Sequence, residues 1–369
     1  MQTNIVTRHK IFDIIKGIGI ILMVMAHAGF GLKFISLFHM PLFFIVSGVF
    51  FKEKSYESIT AIKFYIIKKA KSLLLPFIIL TLLLLYLHNF FIDINILTDN
   101  SLFITQHSNG NQFGLSFYYT NMQILMKSLY TILLVHEEQL FAASWFLRVL
   151  FYISVMFCIG SYILSKSLLK VNCYKYFDIL RFLICVICLI LGFICHKMNF
   201  NFYSIGTMLS SSICFELGIL YGKYKNKITI NIYSCFISIL FLLFYLWKYN
   251  TKISIVFNSY ENPLWLIICS ISGFILIEYL SKIIDKNYKC LSILLSFIGR
   301  NTMPILCLHL VFFKFVTLMQ VCIYNEPKYM LASFLYLYNN RLWWLVYTLF
   351  GIIGPLFVKY LYEKIKLLR

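Results

Sequence analysis

The apolar residues of this chain neither alternate nor form narrow stripes. They run on in long blocks, separated by short stretches rich in Lys, Tyr and Asn. A helix needs roughly 20 apolar residues to cross the hydrocarbon of a bilayer. The blocks therefore predict spans near residues 12–30, 34–51, 73–92, 143–164, 177–195, 203–221, 230–248, 263–280, 303–322 and 342–362. The expectation is an all-α membrane protein, a polytopic bundle of about ten helices in a single domain over residues 1–369. Two connections stand apart. Residues 52–72 are basic, with Ile59, Ile62, Ile66 and Ile67 at helical spacing, which predicts a helix on the inner membrane surface. Residues 93–141 form a long outer loop; its apolar stretch Met122 to Val135 is too short to span and predicts a re-entrant or interfacial helix. No internal repeat is visible.

The basic residues give the bundle a direction. Of the 33 Lys and Arg residues, 22 fall on the side of the N-terminus and four (Lys16, Arg148, Arg181, Lys314) within spans. The other side holds seven: Lys33, Lys127, Lys197, Lys248, Lys252, Lys328 and Arg341. Cytoplasmic loops carry the excess of Lys and Arg, so both termini of this multi-pass protein are expected in the cytoplasm. The same bias accounts for the formal net charge of +19 without a nucleic-acid partner. At 13% charged residues the chain falls well below the roughly 25% of soluble domains, which excludes a soluble enzyme. The first apolar run lacks a small-residue cleavage site and contains Asp13 and Lys16, so it reads as a retained helix and not a signal peptide. Cys185 and Cys188 form a C-x-x-C inside a span and read as small packing residues; no metal is expected.

Ionisable residues inside spans are costly, so each is a candidate for function. Lys16 and His27 are eleven residues apart in the first span, on one helix face and separated by about 16 Å along the axis. Asp13 lies one turn below Lys16, where an i,i+3 ion pair is the plain alternative to a functional role. His39 opens the second span at a depth similar to His27, beside Pro41. His309 falls in the middle of the ninth span, and Glu216 is a buried carboxylate with no evident partner. Glu137 and Glu138 read as a solvated loop pair.

Five segments occur in a telling order: FDIIKGIGIILMVMAHA, FHMPLFFIVSG, KKAKSLLLPF, SWFLRVLF and IGRNTMPILCLH, spanning residues 12 to 309. Together they resemble the acyltransferase 3 family of membrane O-acyltransferases, in particular its fucose 4-O-acetylase-like branch. The family's first helix carries a basic residue, usually Arg, then ten residues and a His; Lys16 and His27 match that spacing. The resemblance implies catalytic roles for His27 and Lys16, with His39 added as a possible neighbour of His27. It also implies that Lys68, Lys69 and Lys71 hold the acyl-CoA donor, an assignment that competes with the positive-inside bias and contact with lipid headgroups. Trp145, Arg148, Asn301 and His309 match further family positions.

The function so implied is transfer of an acetyl group from cytoplasmic acetyl-CoA to a sugar hydroxyl of a cell-surface glycan, an exopolysaccharide or a lipid-linked precursor. His27 would be the base, with His39 or an outer-loop carboxylate as its neighbour, since Asp13 lies about 21 Å away along the helix. The donor's pantetheine arm would run along the first helix, and the acceptor would arrive from the outer side. The alternative is a polysaccharide or lipid transporter without acyl-transfer chemistry, which explains the polar intramembrane residues but not the ordered motifs.

Overall fold

The computed structural model describes residues 2–31, 33–103, 115–200 and 202–367, with side chains from Lys10 onward. No β-strand occurs among the described residues. The helices are α1 (Gln2–His27), α2 (Lys33–Ser36), α3 (His39–Val49), α4 (Ile59–Lys69), α5 (Leu75–Tyr86), α6 (His88–Asp93), α7 (Asn121–Ile132), α8 (Trp145–Lys170), α9 (Phe177–Lys197), α10 (Ile205–Tyr224), α11 (Ile232–Tyr249), α12 (Pro263–Asn287), α13 (Lys289–Arg300), α14 (Thr302–Tyr324) and α15 (Trp343–Leu367). Among the described residues, eight helical segments are long and apolar enough to cross a membrane, so the chain is an all-α, multi-pass membrane protein. These eight correspond to the last eight expected spans. At the first two positions stand α1, which carries Lys10, Asp13 and Lys16, and the α2–α3 pair, interrupted by a turn at Leu37–Phe38.

One expected boundary differs. The basic segment 52–72 is not a separate surface helix: a short turn at Glu53–Ser55 precedes α4, and α4 runs on into α5 through a π-helical turn at Ala70–Leu74. Pro76 explains the π turn. Proline has no N–H for the carbonyl four residues back and its ring crowds that carbonyl. Widening the preceding turn, with Leu75 N–H bonded to Ala70 O, carries the helix past the proline without ending it.

The chain divides into two compact units. The first takes in α1 as far as Gly19, the segment from α2 to Leu75, and Trp145–Arg300. Its helices meet at very close range through small residues. A Cβ on Gly218 would strike Ile45 O, and one on Gly48 would strike Phe215 O, so α3 and α10 lie backbone to backbone. Gly17 and Gly299 do the same for α1 and α13. In lipid, helix association draws on such packing contacts and not on expulsion of water.

The second unit comprises Ile20–Gly31, Pro76–Ser144 and the chain from Asn301 onward. Here α14 packs along α15 and against the turn Gln139–Ser144. The short helix α7 begins with a capping box, Gln123 N–H on Thr120 Oγ1 at 3.3 Å and Thr120 N–H on Gln123 Oε1 at 2.9 Å. It buries Ser128 and Thr131 while exposing Met122, Leu125, Leu129 and Ile132, the inverse of a water-soluble surface helix and the pattern of one that lies in lipid.

The close approach of α3 and α10 yields a test. Gly218→Val is expected to destabilise the protein by about 1–3 kcal/mol through overpacking, read as a lower midpoint of thermal unfolding in detergent. Gly160→Val, at a helical position with nothing within 4 Å of the added Cβ, should leave the midpoint in place. Equal behaviour of the two variants would contradict the packing.

Candidate functional site

The second unit places two histidines in contact. His27 ends α1, and the chain turns immediately after it. Gly29 takes φ +82°, where a Cβ would also collide with Tyr336 and Asn339, so only glycine fits. Asn339 Nδ2 donates to Gly29 O at 2.9 Å, and the Phe30 ring lies 4.3 Å from that of Trp344. These contacts fix the end of α1. His309, on α14, is 1% exposed, with the Phe313 ring edge-on at 5.7 Å.

His27 Nδ1 and His309 Nε2 are 2.8 Å apart. The ring centroids are 5.1 Å apart and the planes differ by 18°, so the imidazoles meet edge to edge and nearly coplanar. The other nitrogen of His309 decides which atoms carry protons. His309 Nδ1 lies 2.9 Å from Ile305 O and 3.0 Å from Leu306 O. Carbonyl oxygens only accept, so Nδ1 bears the proton of His309 and its Nε2 is an acceptor. In the neutral pair His27 must then donate from Nδ1, and its lone pair sits on Nε2. Through His309, a helix backbone thereby sets the tautomer of His27, 282 positions from His309 in sequence.

Further polar groups on α14 hold the segment that follows it. Lys314 Nζ donates to Leu331 O at 2.9 Å and Ser333 O at 3.0 Å. Gln320 pairs with the backbone of Tyr338 through both side-chain atoms, at 2.8 and 3.1 Å. Tyr347 links Thr317 and Gln320, each at 2.9 Å. Asn301 accepts a hydrogen bond from Lys359.

The other expected site residues lie in the first unit. Lys16 is ion-paired with Asp13 at 2.7 Å, the plain i,i+3 arrangement, and Arg300 Nε stands 3.7 Å from the same carboxylate. The trio carries a net positive charge. His39 donates from Nδ1 to Ile35 O at 2.9 Å, within its own chain segment. Arg148 is buried, and Trp145 lies edge-on to Phe146. Glu216 does have a partner: Arg181 Nε donates to its Oε2 at 2.7 Å, an ion pair between α9 and α10. Arg181 also contacts Asp178, which binds Lys223 and Tyr224.

Lys68 and Lys69 line a cavity of about 740 Å³ together with Lys52, Lys54, Tyr65 and Phe64. Lys71 is exposed on the π turn and does not line it. Lys52 and Lys54 belong to the basic segment 52–72 and to no motif. The cavity falls within the roughly 300–1,000 Å³ typical of small-molecule sites.

Glu138 departs from its expected role as a solvated loop carboxylate. It is 5% exposed, with Oε1 2.7 Å from His136 Nε2 and Oε2 3.5 Å from His88 Nδ1. His88 stacks on Tyr119 at 3.8 Å, and Asn89 bonds Tyr119 N and O, tying the loop to α6. Burial works to raise the Glu138 pKa, but the contacts with His136 and His88 outweigh it and hold the carboxyl below its ordinary value. A depressed pKa stabilises the fold above the unfolded value of about 4.3 and ceases to do so as pH falls through the folded value. Hydrogen-exchange protection of residues 115–119 and 133–138 should therefore hold at neutral pH and fall as acid protonates Glu138. Glu138→Gln should show weak protection already at neutral pH. Protection in the variant equal to that of the wild type would contradict the role given to this carboxylate.

The family model for the acyltransferase domain of the acyltransferase 3 family matches residues 9–360. Comparison with curated proteins finds no match, nor does comparison with solved structures. With its polytopic helical architecture and a family match over nearly its whole length, the chain belongs to the acyltransferase 3 family and is a multi-pass membrane acyltransferase.

Proposed function

We propose that the protein is an O-acetyltransferase that moves an acetyl group from acetyl-CoA to a sugar hydroxyl of an envelope glycan, an exopolysaccharide or its lipid-linked precursor, in a bacterial inner membrane with both termini cytoplasmic. The observation that carries this reading is the His27–His309 pair, which gives His27 an Nε2 lone pair and a fixed ring orientation. The lysine-lined cavity supports it on the donor side, because ammonium groups suit the phosphates of CoA. Lys68 and Lys69 are the donor-binding residues of this reading, and Lys16, Arg148 and Asn301 are supporting ones.

In the proposed reaction His27 Nε2 takes the proton of the acceptor hydroxyl as its oxygen attacks the thioester carbonyl carbon. The new C–O bond forms and the carbonyl becomes a tetrahedral oxyanion. Collapse breaks the C–S bond, and the departing thiolate takes the proton from His27, leaving an O-acetyl ester and free CoA. His309 acts as a positioning residue: its Nε2 accepts from His27 Nδ1–H throughout and stabilises the imidazolium in passing, the part played by the carboxylate of a catalytic triad. A transporter would need no such fixed tautomer.

Two substitutions test this. His27→Ala should abolish acetyl transfer, a loss of about 10²–10⁴-fold or more for a general base. His309→Ala should lower kcat with little change in donor KM, and His309→Gln, whose amide oxygen can accept from His27, should recover part of the loss. Undiminished transfer in His27→Ala would overturn the assignment. Equal activity of the Ala and Gln variants at position 309 would remove the acceptor role of that residue.

A further inference from the structure

The 740 Å³ cavity has a neighbour. A second cavity of about 400 Å³ is lined by the cations Arg181 and Lys223, the carboxylates Glu53 and Asp178, and Tyr56 among others, and Phe51, Lys52 and Lys54 line both. The segment between them is a stiff partition. The Phe51 ring packs 5.6 Å from Tyr56 and 5.8 Å from Phe215, and Tyr56 stacks in turn on Phe177 at 6.1 Å. Cys158 Sγ donates to Ser55 O at 3.1 Å. Lys52 is extended, and the turn after it closes with Ser55 N–H on Lys52 O at 2.9 Å. Two lysines, two residues apart with Glu53 between them, are thus carried on a fixed backbone at the rim of both cavities.

The charges are not evenly committed. In the second cavity Arg181 is paired with Glu216 and Lys223 with Asp178, each at 2.7 Å. Among the described residues no carboxylate forms an ion pair with Lys52, Lys54, Lys68 or Lys69. Lys68 and Lys69 belong to the first cavity alone, whereas Lys52 and Lys54 serve both. Lys69 lies over the Tyr65 ring at 5.6 Å, and the four ammonium groups outnumber the other lining carboxylates, Glu53 and Glu57, across the two adjoining cavities, which suits a ligand with two separated anionic groups. A diphosphate diester supplies about two negative charges, and a phosphate monoester about 1.5–2 at pH 7.

Resting on the acyl-CoA reading above, we propose that Lys52 and Lys54 select a donor whose nucleoside bears a 3′-phosphate besides its 5′-diphosphate. The first cavity takes the diphosphate beside Lys68 and Lys69; the second takes the 3′-phosphate at the shared rim. Lysine suits this role because its ammonium acts as a point charge and needs no fixed planar geometry in its partner.

The test compares CoA with 3′-dephospho-CoA, which lacks only the monoester, by equilibrium binding to the full-length protein in detergent or nanodiscs. Wild type should bind CoA about tenfold more tightly or better, the scale of a charge-assisted contact. In the Lys52→Gln/Lys54→Gln double variant the affinity ratio should collapse towards one, with residual dephospho-CoA binding reporting a folded protein. Lys68→Gln should weaken both ligands and keep the ratio. Equal affinity of wild type for the two ligands, or an undiminished ratio in the double variant, overturns the proposal while leaving the donor cavity standing. Binding of neither ligand by wild type would remove the donor reading itself, and the selection with it.

Discussion

Hydrocarbon offers no hydrogen-bond partner, so a polar side chain carried into a membrane helix must find one inside the protein. That constraint runs through both units of this structure. In the first, Arg181 and Glu216 neutralise each other between α9 and α10, and Glu278 is met by Tyr221 and Lys282. In the second, Lys314 gives its hydrogens to two carbonyls, and His309 gives its Nδ1 proton to the carbonyls of its own helix. Most of these pairings close on themselves and are structural. The His27–His309 contact differs, because satisfying His309 leaves its second nitrogen as an acceptor and so dictates the state of another ring.

This is how a stability requirement becomes a chemical one. A buried neutral histidine has one proton for two nitrogens, and backbone carbonyls claim it. The next ring must supply the missing proton and keeps its lone pair on the far side. The tautomer of His27 is thus set by where α14 places Ile305 and Leu306, while Gly29, Asn339 and Trp344 hold the end of α1 in register. At the two cavities of the first unit the logic is reversed: among the described residues Lys52, Lys54, Lys68 and Lys69 have no carboxylate partner, and in the proposed reading an anionic donor supplies one.

Much of this was legible in the sequence. Apolar runs locate the spans because bilayer thickness sets a minimum helix length, and the positions of eight helices follow from that alone. The Asp13–Lys16 pair was readable because i,i+3 geometry is local. What could not be read is contact between segments far apart in the chain. Glu216 showed no partner because Arg181 lies on a different helix, and Glu138 looked solvated because His88 and His136 reach it only once the loop folds back onto α6. The union of α4 with α5 was hidden by the basic, amphipathic character of residues 52–72, which reads as a surface segment although its helix continues into the apolar run. Lys52 and Lys54 carried no motif, and only the fold shows that they line a cavity. His309 stood in the sequence as a second polar candidate; its bond to His27 depends on tertiary structure alone.

The proton between His27 and His309 can be located by nitrogen-15 NMR of histidine-labelled protein in lipid bilayers, with His27→Gln and His309→Gln samples to assign the signals. The expected spectrum shows a neutral His27 with its proton on Nδ1 and Nε2 unprotonated, coupled through a hydrogen bond to an unprotonated Nε2 of His309. A His27 protonated on Nε2, or no coupling between the two rings, would contradict it.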